Sequence, residues 1–321
     1  MRAFVCSKYG PPEALDLDEV EKPVPQGNEV QVRVHAASVN PVDWHLMRGK
    51  PILARLVSGL LKPKDTRIGA DLAGRVEAIG ADVKLFRPGD DVFGTSGGSF
   101  AEYAVARDDR LALKPANLSY EAAAAVPVAG VTALQGLRDK GRIRAGQKVL
   151  INGAAGGVGT FAVQLAKAFG GEVTGVCSTR NLDLVRSIGA DHVIDYTKAD
   201  FTETSERYDL ILDAVANHTI SEYSRVLNPR GVCLIVGFST FARLLAEAFW
   251  GQVVSRTREK KIGLMGVADV NHEALVSLQV LLESGKLMPV IDRRYPFEKV
   301  PDAIRYLEGG HAQGKVVITM G

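Results

Sequence analysis

The sequence predicts an α/β protein, a mainly antiparallel β region followed by a doubly wound parallel sheet. Three observations carry that expectation. Short strand-like runs separated by Gly, Pro and Asp turns fill the first 115 residues. From about residue 120, apolar strands alternate with helices of ten or so residues, which implies βαβ units and a parallel sheet. Within that series, Val149–Gly159 is an apolar strand that runs into a glycine-rich turn and then a helix.

The elements follow in order. Glu29 to Val39 alternates, with Val30, Val32 and Val34 on one face and Gln31, Arg33 and His35 on the other, as in a half-buried strand. Further short strands are expected at Leu72–Ile79, Asp91–Phe93 and Tyr103–Val105, punctuated by Pro88-Gly89-Asp90 and Gly97-Gly98. Ser119 before an alanine run reads as a helix cap, with Glu121 at the positive end. Strands at Lys148–Ile151, Glu172–Cys177, Asp191–Ile194, Asp209–Asp213 and Gly231–Val236 then alternate with helices at Gly157–Phe169, Asn181–Ile188 and Ser221–Leu227. Two more helices and a closing strand, Lys315–Thr319, are expected after residue 265.

A chain of 321 residues allows about two domains and can bury a large core without staples. Lys and Arg number 39 against 37 Asp and Glu, so no basic surface of the nucleic-acid-binding kind is expected. Cys6, Cys177 and Cys233 show neither CxxC nor Cys/His spacing, which argues against a disulfide scaffold or a zinc knuckle. The start lacks an apolar signal core, and no run approaches 18 apolar residues. A reduced, cytoplasmic protein without a transmembrane segment is expected.

Ala154, Gly156 and Gly159 fill the three positions of a G-x-G-x-x-G fingerprint, with alanine at the first. The second glycine admits backbone to a pyrophosphate, and the third permits close packing of helix on strand. The following helix offers free N–H groups and a positive dipole end to the phosphates. Ala155, Gly156, Gly157 and Val158 are therefore expected to bind cofactor. After the next strand, sites for NAD carry an Asp or Glu for the ribose 2′-hydroxyl. This chain has Ser178, Thr179 and Arg180 instead, hydroxyls and a guanidinium suited to a 2′-phosphate, so NADPH is expected. The bland reading of Arg180 is a solvated residue at a helix start.

In this order, the segments resemble the medium-chain dehydrogenase/reductase superfamily, specifically its zinc-independent quinone oxidoreductase (zeta-crystallin-like) branch. The resemblance rests on Ala37-Ser38-Val39-Asn40-Pro41-Val42-Asp43, Gly69-Ala70-Asp71-Leu72-Ala73-Gly74, the phosphate loop, Gly189-Ala190-Asp191-His192-Val193-Ile194-Asp195-Tyr196 and Gly314-Lys315-Val316-Val317. It implies a Rossmann sheet (123–264) inserted in a GroES-like, mainly β catalytic domain (1–122 and 265–321), with the active site in the cleft. It also implies a homodimer. Where the zinc alcohol dehydrogenases place a Cys and a Gly-His-Glu motif, this chain has Pro41-Val42-Asp43 and Gly69-Ala70-Asp71, and no metal site is expected.

The same resemblance places Asn40, Asp43 and His45 in the turn near the nicotinamide. Asn40 is read either as a donor to the substrate oxygen or nicotinamide amide, or as an Asn satisfying its own turn. Asp43 is read mainly as a helix cap or ion-pair partner, and His45 as a proton donor or a helical bystander. Trp44 is either core or substrate platform. Thr132 matches a position at the nicotinamide–ribose end of the cofactor, and Tyr196, with Ser178 and Arg180, one near the adenosine phosphate. Gly237, followed by Phe238, closes a strand where backbone should approach the nicotinamide ring.

Without zinc, quinones and α,β-unsaturated carbonyls are the expected substrates, because hydride addition leaves a charge already delocalised. A saturated ketone would instead give a localised alkoxide that needs a metal or a strong acid. The alternatives are reversible alcohol oxidation and dinucleotide binding with little catalysis. Ile52–Leu61 and Phe241–Val254 have helix-compatible apolar spacing and read as a lid, a dimer face, a peripheral membrane contact or ordinary packing.

Overall fold

The computed structural model describes residues 1–50, 55, 59–236 and 260–321. In chain order, the elements begin with β1 (Arg2–Val5), β2 (Asp16–Glu19), β3 (Glu29–Val39), α1 (Pro41–Arg48), β4 (Asp71–Ile79), β5 (Asp91–Thr95), β6 (Tyr103–Arg107) and β7 (Leu111–Leu113). Next come α2 (Tyr120–Ala124), α3 (Pro127–Leu134), β8 (Lys148–Asn152), α4 (Gly157–Ala168), β9 (Glu172–Cys177), α5 (Leu182–Ser187) and β10 (His192–Asp195). They are followed by β11 (Tyr208–Asp213), α6 (Ile220–Val226), β12 (Leu227–Ile235), β13 (Lys261–Leu264), α7 (His272–Glu283), β14 (Ile291–Pro296), α8 (Val300–Glu308) and β15 (Lys315–Thr319).

The chain divides into two units. The first comprises Met1–Ala129, Val270–Gly285 and Pro289–Gly321, and the second Gly130–Asp269 with Lys286–Met288. A seven-stranded sheet, ordered β14-β15-β3-β4-β5-β7 with β6 also on β3, organises the first unit. Its pairs are antiparallel except β14 with β15. β15 lies against β3 with Val316 opposite Val39, so segments far apart in sequence share one ladder. Phe4, Leu72, Phe100, Phe297 and Ile304 fill the core beside it. The helix α1 starts with Pro41, whose missing N–H costs nothing at that position, and stops at Gly49, whose φ of 59° is left-handed.

The second unit is built on a six-stranded, wholly parallel sheet in the order β10-β9-β8-β11-β12-β13. Numbered from β8, this is the order 3-2-1-4-5-6, which reverses between β8 and β11. Val149, Leu150 and Ile151 are fully buried, as expected of a strand covered on both faces. Leu150, Phe201, Ile211, Tyr223 and Cys233 belong to its core.

Most expected elements are present, including the Ser119 cap, whose Oγ accepts from the Ala122 N–H at 3.2 Å. Two details differ. Gln31 is buried rather than solvent-facing: its side-chain amide donates to the carbonyl of Pro23, in the segment that precedes β3. β14 lies between the two late helices, where no strand is expected from the sequence; among the described residues it pairs only with β15, at the sheet's edge.

Candidate functional site

The glycine turn after β8 has the geometry its residues demand. Gly153 takes a φ of 80°, and the Ala154 N–H donates to Val176 at 3.0 Å, tying the turn to β9. A Cβ added at Gly159 would lie 2.1 Å from the Gly153 carbonyl oxygen, so this glycine serves the packing of α4 on the turn. Gly156 differs: a Cβ there would meet nothing nearer than the Gly153 oxygen at 3.4 Å, an ordinary contact. The packing of the chain itself does not require a glycine at 156. As the N-cap of α4, Gly156 offers no side chain to the first N–H groups of Gly157 and Val158. The Gly156 N–H is used within the turn, donating to the Gly153 carbonyl at 3.0 Å, so the fit of Ala155–Val158 to a pyrophosphate rests on the N–H groups of Gly157 and Val158 and on the bare Gly156.

At the reversal of strand order, Asn152 at the end of β8 donates from Nδ2 to Asp213 Oδ1 (3.0 Å) and to Asn217 Oδ1 (2.9 Å). The same Asp213 oxygen accepts from the N–H groups of Val215 and Ala216, and its other oxygen from the Tyr223 hydroxyl. Burial and the Asp213 charge hold that phenol well above its ordinary range. The network fixes the loop beyond β11 beside the phosphate turn. Sequence reading misses it, since a lone Asp ending a strand carries no signal by itself.

At the end of β9, Ser178 is half-buried and Arg180 exposed. Thr179 turns away from them, its Oγ1 donating to Asp195 Oδ2 at 2.5 Å. Thr197 covers the other oxygen of Asp195 with its N–H (3.0 Å) and hydroxyl (2.7 Å). These bonds, led by Thr179, hold the Asp195 carboxyl down at about 2. Tyr196 follows at the end of β10, with its ring 60% exposed and its N–H bound to the Cys177 carbonyl. Thr132 is buried on α3. Gly237 and Phe238 lie outside the described residues, as does Phe241–Val254. Of Ile52–Leu61, only Arg55 and residues 59–61 are described, Leu60 and Leu61 being exposed.

In the first unit, Asn40 and Asp43 belong to a buried polar cluster. Asn40 Nδ2 donates to Asp71 Oδ2 (2.8 Å) and the Ser38 carbonyl (3.3 Å), while its Oδ1 accepts from Lys315 Nζ at 2.5 Å. Both amide hydrogens are committed inside the chain and the residue is 1% exposed, which supports the turn reading of Asn40. Ser38 and the Val128 N–H also donate to Asp71. Asp43 accepts the Asn40 N–H at 2.7 Å, and its own N–H returns to the Asn40 carbonyl. Burial pushes the Asp43 carboxyl up to about 7, and the Asp71 charge adds to the push. The N–H groups of Asn40 and Ala70 and the Lys315 ammonium oppose it.

His45 lies outside this cluster. It stacks on Trp44 at 3.7 Å and its Nδ1 is 3.0 Å from the Lys50 carbonyl. A carbonyl only accepts, so Nδ1 carries the hydrogen and Nε2 of the neutral ring is an acceptor. Burial lowers its pKa and opposes the charged form that would donate from Nε2.

Zinc does not fit these residues. Pro41 and Ala70 bring no donor to the positions where zinc enzymes carry ligands, Asp43 and Asp71 are occupied by the donors above, and the Lys315 ammonium stands 3.4 Å from Asp71. Among the described residues, no three His, Cys, Asp or Glu are grouped to hold a metal.

The alcohol dehydrogenase GroES-like domain family matches residues 26–116, and the zinc-binding dehydrogenase family matches residues 188–318. The 2-methylene-furan-3-one reductase of Solanum lycopersicum is 36% identical over 334 positions, covering 99% of this chain and 79% of that protein. The chloroplastic NADPH-dependent alkenal/one oxidoreductase of Arabidopsis thaliana is 35% identical, with the same coverage. Among solved structures, the quinone oxidoreductase from Coxiella burnetii superposes with a TM-score of 0.88 at 32% identity, covering 99% of both chains. With its parallel sheet, glycine turn and GroES-like segment, the chain belongs to the medium-chain dehydrogenase/reductase superfamily, in its quinone oxidoreductase branch.

Proposed function

We propose that the chain is an NADPH-dependent reductase of α,β-unsaturated carbonyls and quinones that works without zinc. The observation that carries this reading is Gly156, a glycine that the protein's own packing does not need, at the head of α4 in a sheet of dinucleotide-binding strand order. The names of the two plant relatives and of the Coxiella structure supply the substrate class.

NADPH, when bound, supplies the hydride. Ala155 to Val158 receive its pyrophosphate, Ser178 and Arg180 its 2′-phosphate, and Tyr196 flanks the adenosine end. Asn152 and Asp213 hold the switch-point loop, and Thr132 belongs to the nicotinamide end. Asn40 and Asp43 keep the β3–α1 turn rigid through Asp71 and Lys315. Hydride addition to an enone gives an enolate, whose charge is spread over the conjugated system, so solvent suffices as proton source. Cys6, Cys177 and Cys233, all buried and none in a disulfide, suit a reducing compartment such as the cytoplasm. A homodimer is part of the same proposal, and β13, bordered on one side only among the described residues, offers a free edge.

The test is NADPH oxidation by chelator-treated protein against quinones, enones of increasing chain length and saturated aldehydes. Turnover confined to the conjugated compounds is expected. Turnover of aldehydes that needs added zinc would reject the reading in favour of alcohol dehydrogenase chemistry, and tight NADPH binding with no turnover would favour a binding protein.

A further inference from the structure

Asn181 is buried behind the end of β9, where it has no place in the expected cofactor set. Its backbone N–H donates to the Ser178 carbonyl at 2.9 Å, and its side-chain Nδ2 donates to Ser178 Oγ at 3.2 Å. The other side-chain atom, Oδ1, is buried with no partner among the described residues. Asn181 is therefore tied twice to one residue, and its amide acts on the Ser178 hydroxyl as a donor.

That polarity has a chemical consequence. A serine hydroxyl has one hydrogen and two lone pairs. With Asn181 filling a lone pair, the hydrogen is left to point elsewhere, and no described residue accepts it. Of the two hydroxyls at this strand end, Thr179 has spent its hydrogen on Asp195. Ser178 is the one kept as an outward donor. A phosphate dianion only accepts hydrogen bonds, so it gains from a hydroxyl whose hydrogen is held available. A ribose 2′-hydroxyl can donate or accept, and is indifferent to which way Ser178 turns.

We propose that Asn181 is a positioning residue for cofactor choice: by donating to Ser178 Oγ it reserves the serine hydrogen for a 2′-phosphate, and so favours NADPH over NADH. The inference rests on the NADPH reading above and adds a residue that acts without touching the cofactor. It separates two jobs at the strand end. Arg180 contributes charge, which salt screens, whereas the Ser178–Asn181 pair contributes a directed bond, which salt leaves largely intact.

The test is a double-mutant cycle read in dissociation constants for NADPH and NADH, at one ionic strength and without turnover. Asn181→Leu keeps the branched shape and removes the donor; Ser178→Ala removes the hydroxyl. Each should weaken NADPH about fivefold, the scale of one directed hydrogen bond, and leave NADH within about twofold. The double variant should be no weaker than Ser178→Ala alone, because Asn181 acts only through the serine. Losses that multiply, or an Asn181→Leu variant that weakens both cofactors alike, would overturn the proposal. If Asn181→Leu does not fold, Asn181→Ala runs the same cycle; it removes the donor without adding a charge beside the 2′-phosphate. A wild-type protein without preference for NADPH would overturn the cofactor reading itself. A wild-type preference whose NADPH-to-NADH ratio is unchanged in Asn181→Leu overturns only the role of Asn181.

Discussion

The ammonium of Lys315 donates to the side-chain oxygen of Asn40 at 2.5 Å across 275 residues of sequence, inside a region where Lys315 is 3% exposed and Asn40 1%. Its charge also faces Asp71 at 3.4 Å. Removing one partner of a buried pair leaves the other uncompensated, and typically costs about 3–5 kcal/mol. Lys315→Met should therefore lower stability by about 3 kcal/mol in urea unfolding. A change below about 1 kcal/mol would mean that solvent reaches Asp71.

Asp43 sets a pH dependence of defined sign. Its folded pKa of about 7 lies above the ordinary carboxyl value, so between about pH 4 and 7 the folded state binds more protons than the unfolded one. The Asp43 contribution is therefore most favourable in acid, fades as pH rises through that window and is flat above it. Asp43→Asn keeps an acceptor for the Asn40 N–H and cannot ionise. The difference in stability between wild type and variant should shift by on the order of 4 kcal/mol across the window, to the disadvantage of the wild type at higher pH. Chemical denaturation at pH 4.5 and 8 measures it, and a pH-independent difference would place the Asp43 pKa near the ordinary value.

Gly156 and Gly159 should respond differently to one methyl group. At Gly156 an alanine has room and an ordinary backbone, φ −82°, so Gly156→Ala should fold with unchanged or slightly raised stability. On the proposed reading its Cβ would meet the pyrophosphate, and NADPH affinity should fall at least tenfold, about 1.4 kcal/mol or more. Gly159→Ala drives a Cβ into backbone and should lose stability and affinity together. Thermal melts beside binding titrations distinguish the two, and full NADPH affinity in Gly156→Ala would remove the glycine from the phosphate site.

His45→Asn should leave kcat on an enone within about twofold, because the neutral ring offers an acceptor at Nε2. A true general acid contributes about a hundredfold or more. A loss of that size, with a matching change in the pH profile, would restore His45 as the proton donor.

The phosphate turn was legible because everything that makes it lies within eleven residues, and both periods and glycine spacing are local properties. The Lys315 cluster was half legible. Gly314-Lys315-Val316-Val317 stood out as a motif, but a lysine in an apolar strand declares its partners only when β15 meets β3 and β4. β14 was hidden for a related reason. Asp292, Arg293 and Arg294 interrupt any alternation, and an edge strand held by β15 alone tolerates such residues. Asn181 was hidden by scale, since its effect lies in the direction of one hydrogen bond.

The place of β15 beside β3 has a consequence for biosynthesis. Lys315–Thr319 is translated after the entire second unit, so β3 leaves the ribosome long before its neighbour exists. The parallel sheet can close while the earlier strands still wait with an open border, a species that invites chaperones and mispairing. Slowing translation over the last third of the message should lengthen that exposure, and chaperone dependence of the nascent chain should rise with it.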